Sequence, residues 1–277
     1  MNPRPYALAG ATLCALFATS DALANPINAE ALRPKSAQEG LSVGADLTFA
    51  MRTGNVEFID VSAGGIIQYQ THRPRSEWAD TSDDAPPVVD QTVFLNANVR
   101  YAQRAEDAFV NQGFVHARWT SMWLPRVGTE VFAQHSFNAF QLLQARTLGG
   151  VGVRLDMVET PSFKLWGGSG YMLEYNLITV PEGAPDDPED LQNRWTNYFT
   201  VRARLFDGEL LLQNTFYVQP RLTNFNDVRL LEVFEALAPI TDRIALGVSF
   251  SLLHDSMPPT SVEPTDTTLS TTLKFSF

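Results

Sequence analysis

The chain is nearly without cysteine: Cys14 is the only one in 277 residues. A disulfide framework and a cysteine-based zinc site are therefore excluded. Positive charge is also scarce. Lys and Arg number 20 against 31 Asp and Glu, a net charge of -11. A nucleic-acid partner would need a basic face, so that class is excluded too. Beyond the first two dozen residues no apolar run reaches the ~18 residues of a spanning helix. The histidines, His72, His116, His135 and His254, show no metal-ligand spacing, and no Gly-x-Ser-x-Gly elbow occurs. No cofactor is expected. The chain is rich in hydrophobic residues at 44% and aromatics at 11%, so its composition is not that of a disordered protein.

Residues 1–24 read as a secretory signal peptide. Arg4 supplies a short basic region, Ala7 to Ala18 an apolar stretch, and Ala22-Leu23-Ala24 a small-x-small cleavage site. The stretch is too short to span a bilayer. Leu13 precedes Cys14 where a lipoprotein would need a small residue. Cleavage after Ala24 would leave a mature chain without cysteine, suited to an oxidising compartment. Residues 25–40 have weak periodicity and read as a periplasmic lead-in.

Residues 41–277 alternate. At the C-terminus Thr267, Leu269, Thr271, Leu273, Phe275 and Phe277 oppose Asp266, Thr268, Ser270, Thr272, Lys274 and Ser276. Successive side chains of a strand point to opposite faces, so one face is apolar and the other polar. Leu41 to Phe49, Val93 to Tyr101, Val151 to Leu155, Trp195 to Leu205 and Ile244 to Leu252 repeat the pattern. Segments 127–140 and 225–238 carry apolar groups on both faces. The spacing predicts twelve strands, at 41–51, 55–70, 90–103, 108–123, 127–138, 143–157, 163–177, 193–206, 209–219, 226–238, 243–254 and 265–277. Turn chemistry separates them at Thr53-Gly54-Asn55, Leu124-Pro125-Arg126, Asp207-Gly208 and Pro239-Ile240-Thr241-Asp242.

The predicted fold is all-β, a transmembrane antiparallel up-and-down β-barrel of about 12 strands. The strands exceed the usual soluble length of ~5–6 residues and suffice for a tilted membrane strand of ~9–11. The polar face is too charged for a dry core: Asp46, Arg100, Arg154, Asp156, Lys164, Glu174, Arg202, Arg204 and Lys274 all fall on it. These are the candidate lumen-lining residues. Phe275 and Phe277 resemble the C-terminal assembly signal of outer-membrane barrels. The expected location is the outer membrane of a Gram-negative bacterium. Expected partners are outer-membrane lipid, lipopolysaccharide and the barrel-assembly machinery. With both ends in the periplasm, the long acidic connections 178–192 and 255–264 face outward. The Pro- and Asp-containing segment 71–89 breaks the rule by falling on the periplasmic side: either it is an insertion there, or the strand count is off by one in the N-terminal third.

In these features the sequence resembles the salt-induced outer membrane protein family (YdiY-like), a bacterial domain of unknown function. The likeness rests on Thr53-Gly54-Asn55, on Arg146 to Arg154 with Gly149, Gly150 and Gly152, and on Gly167, Gly168 and Gly170. It rests most clearly on His254-Asp255-Ser256-Met257-Pro258-Pro259, then Thr265-Asp266, closing on Phe277. The likeness covers residues 40–277. It implies an outer-membrane β-barrel, with no catalytic residues and no defined substrate.

The leading expectation is a non-catalytic barrel linked to envelope or salt stress. The alternatives are a narrow pore for ions or small solutes and a rim-active lipid hydrolase using His254, Asp255 and Ser256. The acidic segment 181–190 reads as a solvated loop or as a divalent-cation bridge to lipopolysaccharide, though it lacks the oxygen spacing and turn glycine of a calcium loop. Trp119, Trp123, Trp166, Tyr171 and Tyr175 are candidates for interfacial girdles, but Trp166 and Tyr171 have opposite parity, so some must point inward.

Overall fold

The computed structural model describes residues 39–53, 57–73, 88–105, 107–241 and 244–275. The signal segment 1–24, almost all of the lead-in 25–40, and Gly54 and Asn55 lie outside them. Among the described residues twelve strands form: β1 Gly40–Arg52, β2 Phe58–Arg73, β3 Val88–Arg104, β4 Asp107–Leu124, β5 Val127–Asn138 and β6 Leu143–Glu159. They continue as β7 Phe163–Ile178, β8 Glu189–Leu205, β9 Leu210–Arg221, β10 Asn224–Thr241, β11 Ile244–Asp255 and β12 Thr265–Phe275. All are antiparallel neighbours in one sheet, in strict sequence order.

Hydrogen-bond pairing carries several strands past the ends that alternation suggests. β8 begins at Glu189, because Glu189, Asp190 and Leu191 pair with Leu177, Asn176 and Tyr175. The β7–β8 connection is therefore 179–188, shorter than the expected 178–192. β2 runs to Arg73 and β3 starts at Val88, which narrows the expected connection 71–89 to residues 74–87, outside the described residues. Pro239 and Ile240 belong to β10 rather than to a turn, with a register shift between Pro239 and Thr241. The Asp207-Gly208 turn is a 3-10 turn at Phe206–Gly208, where Gly208 takes a left-handed φ of 100°. A second 3-10 turn, Ala139–Gln141, joins β5 to β6. Asn138 caps it by accepting from the Phe140 amide at 3.0 Å.

The apolar and polar sets go where a soluble protein would not put them. Among the described residues, 26 buried residues are polar or charged and 12 are hydrophobic. The large apolar side chains of the alternating set stand on the convex outer face. Outward residues flanked on both sides, such as Val151 and Val153, are 48% and 47% exposed, whereas Leu47 and Leu269, on β1 and β12, reach 76% and 71%. The higher values follow from position: among the described residues the ladder pairs β1 only with β2, and β12 only with β11. Trp119, Trp123, Tyr171 and Tyr175 face outward, while Trp166 points inward and is buried.

Candidate functional site

The interior of the curled sheet is filled by two layers of paired charge. The first lies near the rim carrying the β7–β8 and β11–β12 connections. Arg146 near the start of β6, Glu174 near the end of β7, Arg194 near the start of β8 and Arg229 near the start of β10 all face inward at that level. Glu174 accepts from Arg229 Nη1 and from Asn176 Nδ2, the latter at 2.6 Å. Arg146 Nε and Arg194 Nε stand 3.6 and 3.8 Å from its oxygens. Arg194 Nη2 donates to Asp227 at 2.7 Å, and Arg229 Nε to Asp255 at 2.7 Å. Arg221 reaches both Asp190 and Asp227. Burying a charge is tolerable only when it is paired and hydrogen-bonded, and each member here is.

The second layer lies toward the opposite rim. Glu130 of β5 accepts from Tyr198 Oη at 2.8 Å and Thr120 Oγ1 at 3.1 Å, with Arg118 and Arg154 at 3.4 and 3.6 Å. Arg154 also donates to Asp156 at 2.9 Å. The Arg118 guanidinium lies over the rings of Phe132 and Tyr198, and those of Arg154 and Arg202 over Trp166. Glycines of β6 and β7 make room for this packing. A Cβ at Gly150 would collide with the Phe132 ring, and one at Gly168 with the Tyr198 ring. The glycine cluster is thus a flat floor on which two interior rings lie. A cavity of about 30 Å³ beside these rings, reaching Leu148, Met172 and Gln219, has room for a water or two.

Above the first layer opens a vestibule of about 280 Å³. Arg146, Arg229 and Asp255 form part of its lining, and Asp186, Pro259 and Glu263 come from the two long connections. The Thr260 amide donates to Asp186 at 3.1 and 3.2 Å, so the β11–β12 connection is tied to the β7–β8 connection across the mouth. Gln141 Nε2 donates to Asp266 at 2.9 Å, bridging the β5–β6 turn to β12.

The expected lumen residues divide accordingly. Glu174 joins the first layer, Arg154 and Asp156 the second. Arg202 sits beside the second, bonded to Gln213. Arg100 pairs apart from both layers, with Asp60 at 3.0 Å. Lys164 and Arg204 do not line the enclosed interior. They sit exposed at the ends of β7 and β8, where the sheet no longer covers them, and Lys164 pairs with Glu159 at 2.5 Å. The side chains of Asp46, Lys274, Phe275 and Phe277 lie outside the described ones. The alternation alone did not single out Arg118, Glu130, Arg146, Asp227, Arg229 and Asp255. Glu130, Asp227 and Arg229 fall in segments apolar on both faces, which hid them. Arg194 was legible as polar-facing, but not its partners.

The residues His254, Asp255 and Ser256 do not converge. His254 bonds Thr265, Asp255 accepts from Arg229, and Ser256 Oγ is held between Asn226 O and the Val228 amide. Among the described residues no group of three or more His, Cys, Asp or Glu is placed to hold a metal ion.

No curated protein matches the chain. A solved NanC porin structure in a rhombohedral crystal form is similar at 7% identity and a TM-score of 0.42, covering 86% of this chain and 99% of that chain. A family model described as "Protein of unknown function, DUF481" matches residues 90–277, in agreement with the likeness to an unknown-function family drawn from the sequence. The chain belongs to the DUF481 family.

Proposed function

We propose that this protein is a non-catalytic β-barrel of the Gram-negative outer membrane whose interior is closed by paired charges. The observation that carries the reading is the inversion of polarity: charged residues such as Arg194 and Glu174 are fully buried while the large aliphatic residues of the central strands stand exposed. Water would not leave so much apolar surface uncovered, whereas hydrocarbon covers it at no cost. Strands of 11 to 18 residues fit a tilted crossing. The export signal at residues 1–24, recognition of the terminal Phe277 by barrel-assembly machinery and contact with lipopolysaccharide belong to the same reading.

The envelope or salt-stress role follows from the family likeness. A deletion strain compared with its parent across osmolarities tests it, and identical growth would remove it. Closure is tested by single-channel recording in planar bilayers. The two charged layers predict no steady conductance steps, and steady ion-dependent steps would overturn the closed interior. The second reading, a narrow pore, draws its support from the vestibule, which opens toward the long connections and has a charged lining.

A further inference from the structure

The outer face of β7–β10 carries groups that hydrocarbon cannot satisfy. Ladder parity puts Glu232 of β10 on the outward set, in a row with Phe199, Phe216 and Leu252. Among the described residues it is the sole Asp, Glu, Lys or Arg on that set away from the strand ends. Asn214 Nδ2 donates to its Oε1 at 3.0 Å, and its second oxygen has no hydrogen-bond partner among the described residues. Two strands away, Trp195 Nε1 donates to Ser169 Oγ at 2.9 Å and Ser169 Oγ to Asn197 Oδ1 at 2.8 Å. These groups sit near mid-strand: Glu232 is central in Asn224–Thr241 and Asn197 in Glu189–Leu205. That depth is away from lipid headgroups. A polar or ionisable side chain within the hydrocarbon region is costly and ordinarily has a protein partner.

We propose that this face is an interface with a second copy of the chain inside the membrane. This interface rests on the membrane reading given above. An isologous contact requires a patch complementary to itself, because each copy presents the same groups. This patch qualifies: it offers a half-satisfied carboxylate and, beside it, the carboxamide of Asn214, flanked by the flat rings of Phe216 and Phe199. A lipid tail offers no donor to Glu232, while the same patch on another copy offers the second N–H of Asn214, since the Asn197 amide is already turned to the Trp195 and Val218 carbonyls of its own chain.

The test is cysteine cross-linking in native membranes, in a Cys14→Ser background. Val218→Cys places a thiol beside Asn197 on β9, and Val153→Cys places one on the outward face of β6. Oxidation is expected to give a dimer from Val218→Cys and none from Val153→Cys. Adding Glu232→Leu is expected to abolish the dimer while the monomer keeps its electrophoretic shift on heating. Glu232→Gln, which still accepts, is expected to retain it. A heat-modifiable membrane protein in which neither thiol cross-links, or both do equally, overturns the interface and leaves the membrane reading standing. An adduct with a different protein overturns the second copy as occupant. Recovery of the chain from the soluble fraction without detergent overturns both readings.

Discussion

Replacing Glu174 with glutamine should destabilise the protein more than any other single change in the first layer. The substitution keeps the volume and removes the charge around which three guanidiniums gather. They are not affected equally. Arg194 keeps Asp227 and Arg229 keeps Asp255. Among the described residues Arg146 has no other carboxylate within ion-pair distance and is left with the Asn176 side-chain oxygen. One buried cation therefore goes uncompensated, which costs about 3–5 kcal/mol. The assay is urea unfolding in detergent micelles, read by tryptophan fluorescence and by the electrophoretic shift. Glu174→Gln combined with Arg146→Met removes the orphaned charge as well, so the loss in the double variant should fall short of the sum of the two single losses by an interaction energy of roughly 0.5–3 kcal/mol. Glu159→Gln is the control. Its partner Lys164 is exposed, and such pairs contribute about 0–1 kcal/mol. A loss below about 1 kcal/mol for Glu174→Gln, or strict additivity with Arg146→Met, would refute the claim that pairing is what makes these burials tolerable.

Two further outcomes follow from facing and packing. Val153→Arg puts a cation on the outward face and should cost about 2–4 kcal/mol near the bilayer midplane, seen as reduced heat-modifiable protein in membranes; a yield equal to wild type would count against that face meeting lipid. Gly168→Val drives a side chain into the Tyr198 ring and should destabilise by about 1–3 kcal/mol through overpacking. Gly149→Ala, whose Cβ would meet its nearest neighbour at 3.8 Å, should be neutral in the same urea titration, and equal effects would remove the floor role assigned to the inward glycines.

The strands were legible because a period of two survives in a single sequence. Leu41 to Phe49 and Trp195 to Leu205 announce both their conformation and their two faces. Their ends were less legible, since ends are set by pairing: Glu189 and Asp190 read as part of an acidic loop, yet Leu177 and Asn176 hold them in a ladder. The site was legible only by halves. Alternation marks Arg194 and Glu174 as inward, but it does not say which charge meets which. Glu174 meets Arg229, 55 residues away, and Arg194 meets Asp227, 33 residues away. Those meetings depend on register and curl, and neither leaves a trace in local composition. Arg229 and Glu130 were hidden for a further reason. Apolar neighbours such as Leu231 and Phe132 share their inward face, because rings and chains pack between the charges.

The registers also say how the two sheet edges must meet. A row of paired residues that starts at Gly40, the first residue of β1, passes through Gln70, Thr92, Thr120, Glu130, Gly152 and Gly170. It continues through Thr196, whose hydroxyl accepts from Gln219 of β9, and then through Gln219, Arg229 and Asp255 to Pro264, just before the first residue of β12. The row therefore climbs from one rim to the other in one circuit. Setting β1 flush against β12 then requires a stagger of about twelve residues, close to the number of strands. A barrel with shear equal to strand number has strands tilted by about 36°, within the range of membrane barrels. Hydrocarbon leaves no open edge unpaired, so this closure is the arrangement expected in the bilayer. Parity limits it further, because outward residues of β1 must face outward residues of β12 or every side chain changes face. Leu47→Cys with Leu269→Cys satisfies both conditions. The pair, or one shifted by two residues, should form an intramolecular disulfide in membranes. A pair shifted by one residue, such as Leu47→Cys with Ser270→Cys, should not. Cross-linking of that second pair, or of none while the protein is membrane-inserted, would show that the ladder closes with another register or does not close on itself.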